Sequence, residues 1–188
     1  MKCLMCESFS LTHICTQCQK NFLQPSLFKT QLSNSIVVYS FYKYEDIEEL
    51  LLTKHTDLGF YIYKILAKNS LELFAKELQL DFKVVSLGVD DIPSPDYSHT
   101  AILNRALKSS FIKPLFGKLR AKNRISYSGK SKQFRLQNPR EFALKKFRES
   151  EVIVVDDIIT TGTTLLEATN LLQKEQKEVL FCVTLAKV

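Results

Sequence analysis

The stretch Val152–Thr164, VIVVDDIITTGTT, decides the fold. Val152 to Val155 are four β-branched apolar residues in a row, which predicts a strand buried on both faces. Two acids follow, Asp156 and Asp157, within a loop expected over 156–161. A helical pattern then runs from about 162 to 175, and a second apolar run, Val179–Leu185, predicts another strand. Strand, helix and strand in this order imply parallel pairing in an α/β sheet. Ligands of such sheets bind at the carboxyl ends of the strands. There, Asp156 and Asp157 offer paired acceptors suited to two vicinal hydroxyls. Thr160, Thr161, Gly162, Thr163 and Thr164 offer backbone amides and hydroxyls to a phosphate at a helix N-terminus. Gly162 permits close backbone approach, and Thr163 or Thr164 is a natural cap. The chemistry this combination suits is that of a ribose 5-phosphate cradle; the bland alternative is a capped helix with incidental acids.

Upstream, Ile36–Tyr42 reads as a strand, Tyr44–Thr53 and Leu58–Leu78 as helices, and Phe82–Leu87 as a buried strand. Pro93 and Pro95 mark a loop over 90–96, and a helix is expected from about Tyr97 to Lys108. Lys113–Lys132 carries no clear period. Gln137–Phe147 is expected to form a helix after Pro139. These elements make one domain over 35–188, preceded by a linker over 23–34 that lacks periodicity.

Residues 1–22 form a separate module. Cys3, Cys6, Cys15 and Cys18 stand as two CxxC pairs eight residues apart, the spacing at which two tight turns bring four thiolates to one tetrahedral zinc ion. So short a segment cannot bury its own core, so a structural metal would supply its folding energy. Two disulfides are the alternative, but they suit a chain carrying an export signal, and MKCLMCESFSLTH has no continuous apolar core of that kind. A redox CxxC would usually open a helix in a βαβ unit, and none is apparent there. His13 reads as a bystander, and Cys182, within VLFCVTLA, as a buried core thiol.

The chain has 188 residues, 45% of them apolar and 24% charged, which is ordinary globular composition. No apolar stretch approaches the roughly 20 residues needed to span a bilayer. The five glycines are too scattered for GxGxxG or a P-loop, which removes the usual support for dinucleotide binding and Walker-type ATP hydrolysis. The net charge of +6 is unevenly spread. Arg105–Arg148 holds fourteen Lys and Arg against one acid, a net of +13, and leaves the rest of the chain at −7. Aromatic residues are interleaved with these cations, a pattern that suits single-stranded nucleic acid: cations for the phosphates, rings for the bases. The candidates for such contacts are Arg120, Lys122, Arg124, Lys130, Lys132 and Arg135. A solvated basic face over core phenylalanines, or contact with a phosphorylated small substrate, is the competing reading.

The thirteen residues of the opening stretch resemble the motif with which type I phosphoribosyltransferases hold 5-phosphoribosyl 1-diphosphate (PRPP). The four-cysteine module followed by such a domain resembles the ComF family of competence proteins, ComFC-like members in particular. IVVYSFYKYEDIEELLLTKHTDLG resembles that family's early segment, with Lys54 and Asp57 on its Lys and acid. Arg120, then Arg135-x2-Asn138 and Phe142, resemble its stretch before the PRPP motif. In two places the sequence departs from the family pattern. Tyr97, Ser98 and His99 stand roughly where Phe-Asn-Gln would fall, with an Arg pair missing before them, and Tyr127 stands where a Gln is common. Both touch the region that holds pyrophosphate in an active transferase, so the resemblance supports ribose-phosphate binding more than transfer. It implies a type I phosphoribosyltransferase-like parallel sheet flanked by helices, with a small N-terminal zinc-ribbon-like module. It further implies a cytoplasmic factor of natural transformation that binds single-stranded DNA and PRPP or ribose 5-phosphate, with structural zinc and Mg²⁺ accompanying PRPP. The implied partners are DNA-uptake proteins at the inner face of the membrane, a helicase or channel, and a second copy in a homodimer. An active phosphoribosyltransferase of unknown acceptor and a non-catalytic PRPP-sensing regulator are the alternatives.

Overall fold

The structure, a computed structural model, describes residues 1–90, 97–122 and 140–188. In chain order the elements are α1 Thr16–Phe22, β1 Phe28–Gln31, β2 Val37–Lys43, α2 Tyr44–Leu52, a 3₁₀ turn Thr53–His55, α3 Asp57–Asn69, α4 Leu71–Glu77, β3 Val84–Val89, α5 His99–Ala106, β4 Ile112–Ala121, β5 Phe142–Leu144, β6 Glu151–Ile159, α6 Thr163–Lys174 and β7 Glu178–Lys187. Among the described residues the strands form one seven-stranded sheet in the order β1-β2-β7-β6-β3-β4-β5. The five inner strands are parallel, and each outer strand, β1 and β5, pairs antiparallel with its neighbour.

The apolar run of β6 is continuous because the strand is covered on both faces. Ile153 and Val155 pack with Ile62 and Leu66 of α3 and Leu103 of α5, whereas Val152 and Val154 pack with Leu165, Ala168 and Leu172 of α6. Each such side chain removed from water contributes on the order of 1.5–3 kcal/mol before ordering entropy is set against it. The chain leaves β3 through α5 towards β4, and leaves β6 through α6 towards β7, on opposite faces and in opposite directions. The boundary between β3 and β6 is therefore a topological switch point, where a crevice opens at the strands' carboxyl ends.

Several expectations are corrected. Part of the stretch 23–34, expected to be a linker, is strand β1, whose Phe28–Gln31 pairs with Val37–Ser40. The single helix expected over 58–78 is two, because Ser70 takes φ −125° and ψ −79°, and its hydroxyl bonds back to the Leu66 carbonyl. The helix expected over 137–147 is not formed in its described part. Phe142–Leu144 instead pairs with Leu119–Ala121, because the edge of β4 offers backbone groups that a helix would leave unpaired. Strand β6 runs on to Ile159, opposite Lys187, so Asp156 and Asp157 belong to a strand and not to a loop.

The cysteine module packs onto the main body. Ile14 and Leu23 are buried in the same core as α3 and α4, the His13 ring stacks on Tyr61 at 4.4 Å, and the Tyr42 hydroxyl donates to the Leu23 carbonyl. Cys182 is buried on the α6 face. Among the described residues no helix is long and apolar enough to cross a membrane.

Candidate functional site

The carboxyl end of β6 brings together three groups from distant parts of the chain. Lys54, in the 3₁₀ turn, places Nζ 3.0 Å from Asp157 Oδ2, and His99, the first residue of α5, places Nε2 3.4 Å from the same oxygen. Neither residue was assigned a partner by the sequence, where Lys54 only matches a family Lys and His99 only stands in a departure from the family pattern. Their side chains are only 23% and 28% exposed. Side chains alternate along a strand, so Asp157 turns to the face of α3 and α5 while Asp156 turns to the other. Asp156 Oδ1 accepts the Asp157 backbone N–H at 2.9 Å.

These environments separate the two acids. Burial, then the adjacent charge of Asp157, pushes Asp156 up to about 8. Burial pushes Asp157 the same way, but Lys54 and His99 outweigh it and hold its carboxyl below the ordinary value. Burial pulls the Lys54 ammonium down, and Asp157 and Asp156 more than restore it, so it lies above its usual value. Burial keeps His99 below its usual value. Burial and the neighbouring charge thus favour the proton on Asp156, whereas Lys54 and His99 favour charge on Asp157.

Beyond the acids the chain turns through Thr160 and Thr161 to Gly162, whose φ of +74° lies in the left-handed region. Gly162 itself is the N-cap of α6, so neither Thr163 nor Thr164 caps the helix with its side chain. The Thr161 and Thr163 hydroxyls lie 2.9 Å apart. The amides of the first turn of α6 have no acceptor within the helix and follow the acid pair by a few residues in the chain, an arrangement that suits an anion. A Cβ at Gly162 would come within 2.8 Å of Leu32 Cδ2. Leu32, in the β1–β2 turn, therefore props this loop from below, a role that no sequence signal marks.

Of the cations singled out for nucleic acid, Arg120 and Lys122 lie at the carboxyl end of β4; Arg124, Lys130, Lys132 and Arg135 lie outside the described residues, as do Tyr127, Asn138 and the loop 91–96. Arg140 was missed. Its guanidinium lies 3.9 Å from Asp90 at the end of β3, its backbone N–H donates to Glu167 of α6, and its charge acts on Asp156. Its place within a run of fourteen cations hid it.

The sulfurs of Cys3, Cys6, Cys15 and Cys18 all lie within 4.8 Å of one another, and those of Cys6 and Cys15 are 3.7 Å apart. Four sulfurs about 2.3 Å from a tetrahedral zinc ion would be roughly 3.8 Å apart, so the donor set fits zinc. The backbone amide of Cys15 chiefly draws the Cys3 thiol down to about 6, and a bond with Ser8 lowers Cys6, which favours the thiolates a metal needs. Burial pushes Cys18 up in the absence of a cation.

Residues 113–188 match the phosphoribosyl transferase domain. The match begins at β4 and includes the acid pair, the Gly162 turn and α6. No curated protein matches the chain. Among solved structures, the chain is similar to a hypoxanthine phosphoribosyltransferase from Staphylococcus aureus, with 22% identity over 66% of this chain and 62% of that one and a TM-score of 0.40. It is also similar to the orotate phosphoribosyltransferase of Mycobacterium tuberculosis H37Rv, with 16% identity, 91% and 82% coverage and a TM-score of 0.41. A third is a hypoxanthine phosphoribosyltransferase from Trypanosoma cruzi, with 18% identity, 66% and 67% coverage and a TM-score of 0.42. The chain thus spans less than two thirds of the length of the Staphylococcus aureus protein.

Proposed function

We propose that the chain binds a 5-phosphoribosyl ligand, PRPP with Mg²⁺ or ribose 5-phosphate, where β6 meets α6, and that it acts as a cytoplasmic single-stranded-DNA-handling factor in DNA uptake. The observation that carries the ligand half is one of position. Two acids, a left-handed glycine and a helix N-terminus follow one another at the switch point of a parallel sheet, within the segment that matches the phosphoribosyl transferase domain. Asp156 and Asp157 orient the ribose hydroxyls, Thr160–Thr164 receive the 5-phosphate, and the cradle's oxygen donors suit Mg²⁺, which is held largely by substrate phosphates. The net charge of +13 over 105–148 supports the DNA half, together with the resemblance to competence proteins. Uptake proteins at the inner face of the membrane and a second copy of the chain are partners in the same proposal.

The family match favours a second reading, an active transferase. There Lys54 would hold Asp157 ionised next to a ribose that gains positive charge in the transition state. A regulator that binds PRPP without turnover is the third. Fluorescence anisotropy of a labelled single-stranded oligonucleotide at about 50 and 200 mM salt, with and without PRPP and Mg²⁺, separates them. The uptake reading expects binding that weakens with salt and changes with PRPP, with no release of pyrophosphate. Pyrophosphate release in the presence of an acceptor would replace it with the transferase reading. Absence of binding at low salt would remove the DNA half.

A further inference from the structure

A concave surface lies at the end of the sheet opposite the acid pair. It has a volume of about 690 Å³ and is formed by the starts of β3 and β4 and the turn that leaves α5. Four cations line it, Lys83, Arg105, Lys108 and Lys113, against a single acid, Glu149. Glu149 pairs with Lys113 at 3.1 Å. Among the described residues no carboxylate lies within ion-pairing distance of Lys83, Arg105 or Lys108, and all three exposed cations line the groove. Phe111 and Phe116 lie among them, and Phe116 is 49% exposed although it is a large apolar ring on a strand. An exposed ring flanked by unpaired cations contributes little to folding.

From this we infer that the groove is the docking site of single-stranded nucleic acid, a site distinct from the phosphoribosyl cradle. The cations receive successive phosphates, and Phe116 stacks on an unpaired base. Duplex conceals its base faces and offers Phe116 nothing, which is why the groove selects single strands. Register places Val85 beside Val152, so the groove lies five to six residues from Asp157 along β6, roughly 20 Å at about 3.3 Å per residue. The basic segment is therefore divided by the length of β4. Lys113 faces the groove, while Arg120 and Lys122, at the other end, belong with the cradle. The inference rests on the DNA half of the function proposed above and moves its location from the candidates that the sequence singled out, Arg120 and Lys122 among them, to the groove.

The test is anisotropy of a fluorescein-labelled single-stranded 20-mer with the full chain and two variants, Lys83→Glu/Lys108→Glu and Phe116→Ala. All three positions are exposed, so folding is preserved, and PRPP binding by calorimetry is read alongside as a control on the distant cradle. The double variant is expected to bind the oligonucleotide at least tenfold more weakly, with its log–log salt slope reduced by about 1.4, at about 0.7 per phosphate contact. Phe116→Ala is expected to bind about three- to tenfold more weakly with the slope unchanged. If the wild-type chain binds and both variants bind equally well, the groove is not the site, although the DNA-handling reading stands. If the wild-type chain does not bind at low salt, that reading falls and this one falls with it. Equal competition by the duplex of the same sequence would overturn the single-strand assignment.

Discussion

Lys54 and Asp157, 103 residues apart in the chain, form an ion pair of 3.0 Å at the carboxyl end of the central strand. His99 approaches the same carboxylate oxygen at 3.4 Å. The pair holds one acid of the site charged and directed towards α3 and α5, and it joins the 3₁₀ turn to the sheet. Removing Lys54 leaves a buried carboxylate with only a weakly basic imidazole. Lys54→Met is expected to destabilise the chain by about 2–3 kcal/mol, somewhat less than the ~3–5 kcal/mol of a fully buried pair because both partners keep some contact with water. Lys54→Met/Asp157→Leu should recover most of that loss. Urea unfolding of the four members of the cycle measures it; a double variant no more stable than Lys54→Met would show that the pair is not the cause.

Asp156 makes stability depend on pH in a definite direction. Its folded value of about 8 lies above the roughly 3.9 of an unfolded Asp, so the folded chain retains a proton that the unfolded chain releases. The stability from that proton is complete below about pH 4 and is lost as pH rises to about 8. Asp156→Asn keeps an oxygen for the Asp157 amide and has no proton to lose. Melting curves should show the variant more stable than wild type at pH 8.5, with the difference closing towards pH 5. Parallel curves across that range would contradict a buried, neutral Asp156.

Gly162→Ala tests the turn between β6 and α6. The positive φ costs an L-residue about 1–2 kcal/mol, and the new Cβ would meet Leu32 at 2.8 Å. A fall in the melting temperature of about 3–8 °C is expected, given about 2–4 °C per kcal/mol in a chain of this size. Because Leu32 is buried and its truncation has its own cost, the comparison is made within Leu32→Ala, where adding Gly162→Ala should lose only the backbone part. No further loss in that background would mean that the left-handed conformation carries no strain.

The cysteine module should hold one zinc per chain, released by a strong chelator. Because Ile14 and Leu23 belong to the main core, loss of the metal is expected to expose residues 1–27 to protease and to lower the melting temperature of the whole chain. Native mass spectrometry before and after chelation, followed by limited proteolysis, reads both. An equally stable, protease-resistant chain without metal would contradict a structural zinc site.

What the sequence made legible was local. VIVV followed by two acids and TTGTT marks a strand and a helix start within thirteen residues, and the two CxxC pairs mark a cluster of four sulfurs within sixteen. Strand β5 was not legible, because three residues, FAL, have no period, and their state is set by the unpaired edge of β4. Nor was the continuation of β6 through its acids, which depends on β7 extending beside it to Lys187. The partners of Asp157 come from positions 54 and 99, and Gly162 is propped from position 32; no pattern in one sequence joins such distant residues. The break at Ser70 escaped for a different reason, since an apolar stripe continues across it and conceals a hydroxyl that competes for the backbone.

The most direct measurement is calorimetric titration of PRPP with Mg²⁺, and of ribose 5-phosphate, into the wild-type chain and Asp157→Asn. Binding of both ligands at one site per chain is expected, at least tenfold weaker in the variant. No heat from either ligand with a folded wild-type chain, or equal affinity in the variant, would contradict a phosphoribosyl site at the end of β6.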